Sequence, residues 1–168
     1  EFQKRSNSPN RDGRGGEGGD TTTDAETDAF FSSGDVKSST DGGSQQQIVD
    51  IYTGRTTNWK AVGGKDARIT VVNKAEGRST LELFLSYLQL RSSQIKPHII
   101  IGDNPQGIKT IAGNPHAIGY VSIGAAAYEA ERGVPIRLLP LNGMDASVTN
   151  VRSGDFPLSR SLNLITRA

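Results

Sequence analysis

RITVVNKAEGRSTLELFLSYL, residues 68–88, changes its periodicity halfway along. Arg68 to Asn73 is rich in β-branched residues, as in a strand, whereas Leu81, Phe84, Leu85 and Leu88 recur at i, i+3, i+4 and i+7, one face of a helix. The helix is expected from about Thr80 to Leu90, with Ser79 as its cap and Glu82 completing a capping box. Between strand and helix lies Lys74-Ala75-Glu76-Gly77-Arg78. A loop leading from a strand into a helix is where an α/β sheet binds anions, because unpaired N–H groups at the helix start carry partial positive charge. Lys74 and Arg78 add full charges, Gly77 lets the backbone come close, and Ser79 and Thr80 add hydroxyls.

The same alternation continues outward in both directions. Upstream, Ile48, Ile51 and Tyr52 predict a short helix closed at Thr53-Gly54, and Asn58-Trp59 with Gly63-Gly64 predict a turn. Trp59 reads as a core or rim aromatic. Downstream come a strand at His98 to Ile101, a helix opened by Asn104-Pro105, a strand at Ala117 to Val121, a helix from Ile123 to Glu131 and a strand at Ile136 to Leu139. Strands alternating with helices predict an α/β fold with a mainly parallel sheet. The strand-to-helix turn Gly102 to Gly107 is a possible second binding loop at the same sheet edge, through Asn104, Gln106 and Gly107. A last strand is expected at Leu162 to Ile165.

Residues 1–46 differ in kind: six apolar side chains against eight glycines and nine acids, with a charge of about −4, while the remainder carries about +5. Residues 1–45 are therefore expected to be a disordered or cloning-derived tail, and 46–168 a single α/β domain. A docked role for Ala29-Phe30-Phe31 is the less favoured reading. No cysteine is present, and the two histidines, His98 and His116, do not suggest a metal site. No nucleophile–base pair is spaced for catalysis, so no enzyme, cofactor or metal is expected. The basic residues are too scattered for nucleic acid. No run approaches a membrane span, and the N-terminus does not read as a secretory signal.

Four pieces resemble the second half of the phosphate-binding, periplasmic-binding-protein-like solute receptors of bacterial phosphate ABC transporters. They are Ile48 to Trp59 followed by Gly63-Gly64, Ile69 to Phe84, Ala117 to Val121, and Phe156 to Arg160. In that family two α/β lobes close on an oxyanion, and an Arg-x-x-Gly-Ser-Gly-Thr loop of the second lobe binds it. Lys74 stands at the Arg of that loop, Gly77 and Thr80 agree with it, and Arg78 and Ser79 depart from it. Glu76 falls where some receptors carry an acid that accepts a hydrogen bond from protonated phosphate. The resemblance implies a three-layer lobe plus crossover of such a receptor. Its implied role is binding phosphate or a related oxyanion without catalysis, outside the cytoplasmic membrane and with ABC membrane subunits. The other half of the cleft would come from a partner lobe or a homodimer. The departures at Arg78 and Ser79 motivate an alternative, a structural or interaction module that keeps the fold and has lost its ligand.

Overall fold

The computed structural model describes residues 28–32 and 44–158. Its elements in chain order are β1 (Asp28–Ser32), α1 (Gln45–Tyr52), β2 (Thr70–Lys74), α2 (Ser79–Leu88), β3 (Ile99–Ile101), α3 (Asn104–Ala112), β4 (Ala117–Ser122), α4 (Ile123–Glu131), β5 (Arg137–Leu138) and α5 (Val148–Arg152). One five-stranded sheet runs β3-β2-β4-β1-β5. β2 is parallel to β3 and to β4, and β1 is antiparallel to both β4 and β5. Four strands therefore share one direction, which is the mainly parallel sheet that the alternation predicts.

β1 corrects the expected tail at residues 28–32. Its backbone pairs with β4 from Asp28↔Ser122 to Ser32↔Ile118 and joins β5 to the rest of the sheet. The polar composition around Ala29-Phe30-Phe31 conceals it, because one strand inserted between two others draws its stability from ladder bonds that composition does not report. α5 was not anticipated either; Ser147 caps it by accepting from Asn150 N at 3.2 Å. The strand expected at Leu162 to Ile165 lies outside the described residues.

Helices cover both faces of the sheet, giving three layers. On one side Ile48, Ile51 and Tyr52 of α1 and Leu81, Phe84 and Leu88 of α2 bury against Ile69, Val71, Ile118 and Tyr120. On the other, Ile108 and Ile111 of α3 and Ala126 of α4 bury against Val72, Ala117 and Val121. Neighbours Val71 and Val72 thus serve opposite layers, as the period of two in a strand requires. A strand with both faces covered reads as a continuous apolar run, as Ala117 to Val121 does, and Ile69 to Val72 follows it apart from Thr70.

Local chemistry sets the helix boundaries. Ser44 and Gln47 form a capping box at α1: Gln47 N donates to Ser44 Oγ at 3.2 Å and Ser44 N donates to Gln47 Oε1 at 2.9 Å. The capping box expected at Ser79 and Glu82 is not the one that opens α2. Gly77, at φ +79°, turns the chain so that Arg78 is the extended N-cap residue, without a side-chain cap, and Ser79 is already helical. Trp59 is core, 4% exposed, with its indole N–H donating to the His116 carbonyl at 3.0 Å.

Two glycines in helices make opposite forecasts. A Cβ at Gly107 in α3 would lie 2.5 Å from Ile101 Cδ1 and 3.2 Å from Val121 Cγ1, whereas one at Gly124 in α4 would meet only Ser122 Oγ at 4.0 Å. In urea unfolding, Gly107→Ala is expected to lose about 1–3 kcal/mol by overpacking, and Gly124→Ala to gain roughly 0.5–1 kcal/mol of helix stability. Burial, with a smaller contribution from Tyr120, raises the Tyr52 hydroxyl well above its ordinary ionisation range. The unfolded phenol ionises near about 10, so stability from this group is intact below that pH and declines as pH rises above it. Tyr52→Phe is expected to flatten the alkaline limb of a stability profile, while costing about 1 kcal/mol at neutral pH through its lost bond to the Val72 carbonyl.

Candidate functional site

Register brings the two loops singled out from sequence to one place. Lys74 pairs with Ile101, so β2 and β3 end abreast and the chain leaves both strands at the same sheet edge. The Ala75 N–H donates to the Ile101 carbonyl at 2.8 Å, tying the loops together where they start. From there α2 goes to one face and α3 to the other, the divergence that opens a crevice at the carboxyl ends of parallel strands. Both helix N-termini border that crevice; in α3, Pro105 carries no N–H and the Gln106 and Gly107 amides are bonded to Asp103, while in α2 the Leu81 and Glu82 amides donate to the Arg78 carbonyl.

Lys74 is the centre of the arrangement. It is only 3% exposed, and its Nζ donates to Asn104 Oδ1 at 2.8 Å, in the first turn of α3. The same ammonium stands 5.5 Å from the centroid of the Tyr120 ring, within cation–π range. Tyr120 is itself fixed: its hydroxyl donates to Asn73 Oδ1 at 2.7 Å, accepts from Lys74 N at 3.4 Å, and its ring stacks on Phe84 at 4.1 Å. A rigid aromatic floor therefore lies under a positive charge aimed between two helix starts.

Of the other residues expected here, Gly77, at φ +79° with open space at its Cβ position, makes the turn and keeps the backbone accessible. Ser79 and Thr80 are half-buried in the first turn of α2. Arg78 is exposed, and its guanidinium reaches 3.9 Å from where a Cβ on Gly102 would stand, bridging the mouths of the two loops. Glu76 is also exposed and accepts from Ser92 Oγ at 3.1 Å. That bond draws the carboxylate toward the turn before β3.

The second loop, singled out through Asn104, Gln106 and Gly107, makes several contacts within itself. Gly107 is buried, and its N–H is spent on the Asp103 carbonyl at 3.1 Å; it is a glycine of close helix–sheet packing. Gln106 Oε1 accepts from Gly102 N at 2.7 Å, and its own N–H goes to Asp103 Oδ1 at 2.8 Å. The loop braces itself and offers Asn104 to Lys74. Sequence reasoning missed Tyr120, although its place in the apolar run Ala117 to Val121 marked it as buried, and a buried hydroxyl needs a partner. His98 and His116 lie away from the crevice: His98 Nδ1 accepts from Val71 N at 3.0 Å, and His116 is exposed. Among the described residues there is no cluster of three or more histidines, cysteines or carboxylates that could hold a metal, and no helix is long and apolar enough to cross a membrane. The arrangement offers cationic and neutral donors to an anion.

Several known proteins similar to this chain are named for phosphate binding or transport. The phosphate-binding protein PstS of Bacillus subtilis is 30% identical over 115 residues, 68% of this chain and 36% of that protein. PstS of Borreliella burgdorferi is 26% identical over 129 residues, 73% of this chain and 46% of that protein. Among solved structures, a chain from Clostridium perfringens assigned as a phosphate ABC transporter substrate-binding protein, with phosphate bound, superposes with a TM-score of 0.68 at 26% identity. It covers 82% of this chain and 54% of that one. An ABC-type phosphate transport receptor from Vibrio cholerae shares the fold, with a TM-score of 0.69 at 23% identity over 82% and 55% of the two chains. The chain thus spans about half or less of the length of these relatives. The model of the PBP superfamily domain matches residues 15–168, opening upstream of the boundary expected at residue 46, and the chain belongs to that superfamily.

Proposed function

We propose that the chain binds phosphate or a related oxyanion at the crevice between β2 and β3, as the anion-contacting lobe of a solute-binding protein, and catalyses nothing. The observation that carries this reading is the buried Lys74 ammonium, fixed by Asn104 and Tyr120 at the junction of two helix N-termini. Lys74 supplies the principal charge. The start of α2, with the hydroxyls of Ser79 and Thr80, supplies directional donors, and Arg78 lines the rim, where it can meet an arriving anion. Relatives named for phosphate binding support the choice of ligand. By the same likeness we place the protein outside the cytoplasmic membrane, delivering its ligand to ABC membrane subunits. A partner lobe, from another polypeptide region or a second copy, would close the open side of the crevice.

A second reading is favoured by the self-bracing of Gly102, Gln106 and Gly107 and by the exposure of Arg78. On that reading the lobe is an interaction module without a ligand. Calorimetry with phosphate, sulfate and carboxylates separates the two. The oxyanion reading expects saturable heat with phosphate or sulfate, millimolar for an open crevice and micromolar when a partner lobe closes it. The interaction reading expects none, together with self-association in sedimentation.

Lys74 and Arg78 are forecast to contribute unequally. A charge-assisted bond from a buried group is worth about 1.5–3 kcal/mol, whereas a solvent-screened charge contributes under about 1 kcal/mol. Lys74→Met is therefore expected to weaken phosphate binding by about tenfold or more, which is about 1.4 kcal/mol, and Arg78→Ala by less. Thermal unfolding of Arg78→Ala should be nearly unchanged without ligand. A lowered melting temperature at unchanged affinity would assign Arg78 a structural role.

A further inference from the structure

Because β2, β3 and β4 are parallel, the turns that enter them share the sheet edge opposite the crevice. Ile69 N donates to the Thr57 carbonyl at 2.9 Å, Lys96 N to the Tyr52 carbonyl at 2.8 Å and His98 N to the Val71 carbonyl at 2.9 Å. The His116 carbonyl accepts from Thr70 N and from Trp59 Nε1, each at 3.0 Å. Turns far apart in the sequence are thereby bound into one surface. Five of the twelve lysines and arginines in residues 44–158 lie on it: Arg55, Lys60, Lys65, Arg68 and Lys96, all exposed. Of the nine acids in that span, Asp50 and Asp66 join them, 3.2 Å from Arg55 and 3.8 Å from Lys60. The other seven bases and seven acids cancel, so the net positive charge of the span resides on this edge.

We propose that this edge docks on an anionic lipid bilayer, through attraction of its lysines and arginines to headgroup phosphates and without insertion. Clusters of about four to eight bases are the size that anionic headgroups attract. Other polyanions fit the surface less well. Tyr52 and Trp59 are buried, so these turns present no tryptophan, tyrosine or phenylalanine on which a nucleic-acid base could stack. The large apolar side chains exposed among the described residues, Ile100, Tyr128 and Val148, belong to other segments, so the edge lacks the anchor around which a protein interface is built. Lysines on turn tips suit a mobile array of charges such as a headgroup layer. β2, five residues long, holds the crevice about 17 Å from this edge. Docking therefore leaves the crevice facing solvent, and the proposal stands apart from the oxyanion reading.

The test is co-sedimentation of the full chain with vesicles of phosphatidylcholine alone or of phosphatidylcholine and phosphatidylglycerol in equal parts. The expected result is binding to the mixed vesicles only, lost at about 0.5 M salt, where the Debye length is a few ångströms. Arg68→Glu combined with Lys96→Glu is expected to weaken that binding by about tenfold or more. Arg132→Glu combined with Arg152→Glu changes the net charge equally, away from the edge, and should weaken it by less than about threefold. Thermal unfolding of both double variants shows whether they fold. Whatever it shows, 15N spectra of the wild type with the mixed vesicles locate the contact directly: amides of residues 54–68 and 96–98 should broaden more than those of 75–81. No binding to the mixed vesicles overturns the proposal. Equal losses in two folded double variants, or broadening centred outside these turns, also overturn it, as does tighter binding to a single-stranded oligonucleotide than to the mixed vesicles.

Discussion

Burying an ammonium at the end of a central strand is the constraint around which this lobe is arranged. A charge taken out of water is costly unless hydrogen bonds and polarisable groups replace its hydration. Lys74, 3% exposed, has an amide oxygen from α3 and the face of an aromatic ring from β4 close to it. Those contacts join the lysine's own strand to two other parts of the chain, so it can be accommodated only after β2, β4 and the start of α3 have assembled. The same contacts that make its burial tolerable also fix its direction.

The packing below explains how so few residues hold this geometry. Phe84 stacks on Tyr120 with ring planes 5° apart, and Tyr52 meets Phe84 edge-on at 4.7 Å, so α1, α2 and β4 share one aromatic cluster. Its polar tips end on the backbone of Val72 and the side chain of Asn73, two residues and one residue before the lysine. On the other face, Gly107 lets α3 approach Ile101 and Val121 closely enough to bring Asn104 over Lys74. Large apolar side chains on one side and a missing side chain on the other thus converge on one nitrogen atom.

Much of this architecture was legible in the sequence because the signals were local. The change of period between Val72 and Leu81 gave the strand and helix, Gly77 gave the turn, and the closeness of Lys74 and Arg78 to a helix start pointed to anion chemistry. Three features were not legible. β1 depends on ladder partners about ninety residues away, from Asp28↔Ser122 to Ser32↔Ile118, and its short apolar core Ala29-Phe30-Phe31 is embedded in a polar stretch without periodicity. The helix start at Ser79, with Arg78 rather than Ser79 in the cap position, depends on how far Gly77 turns the chain. The division of labour within the second loop, with Asn104 turned to Lys74 and Gln106 and Gly107 spent on the loop itself, follows from strand register, which spacing along the chain does not encode.

The claim that Lys74 and the two helix starts form an oxyanion site is tested most directly by diffraction from crystals soaked in selenate, whose selenium scatters anomalously. The account predicts one strong anomalous peak at the edge formed by β2 and β3, with selenate oxygens within hydrogen-bond distance of Lys74 Nζ and of donors in the first turn of α2. A crevice left without a peak at saturating selenate, or selenate held only at surface arginines elsewhere on the molecule, would contradict it.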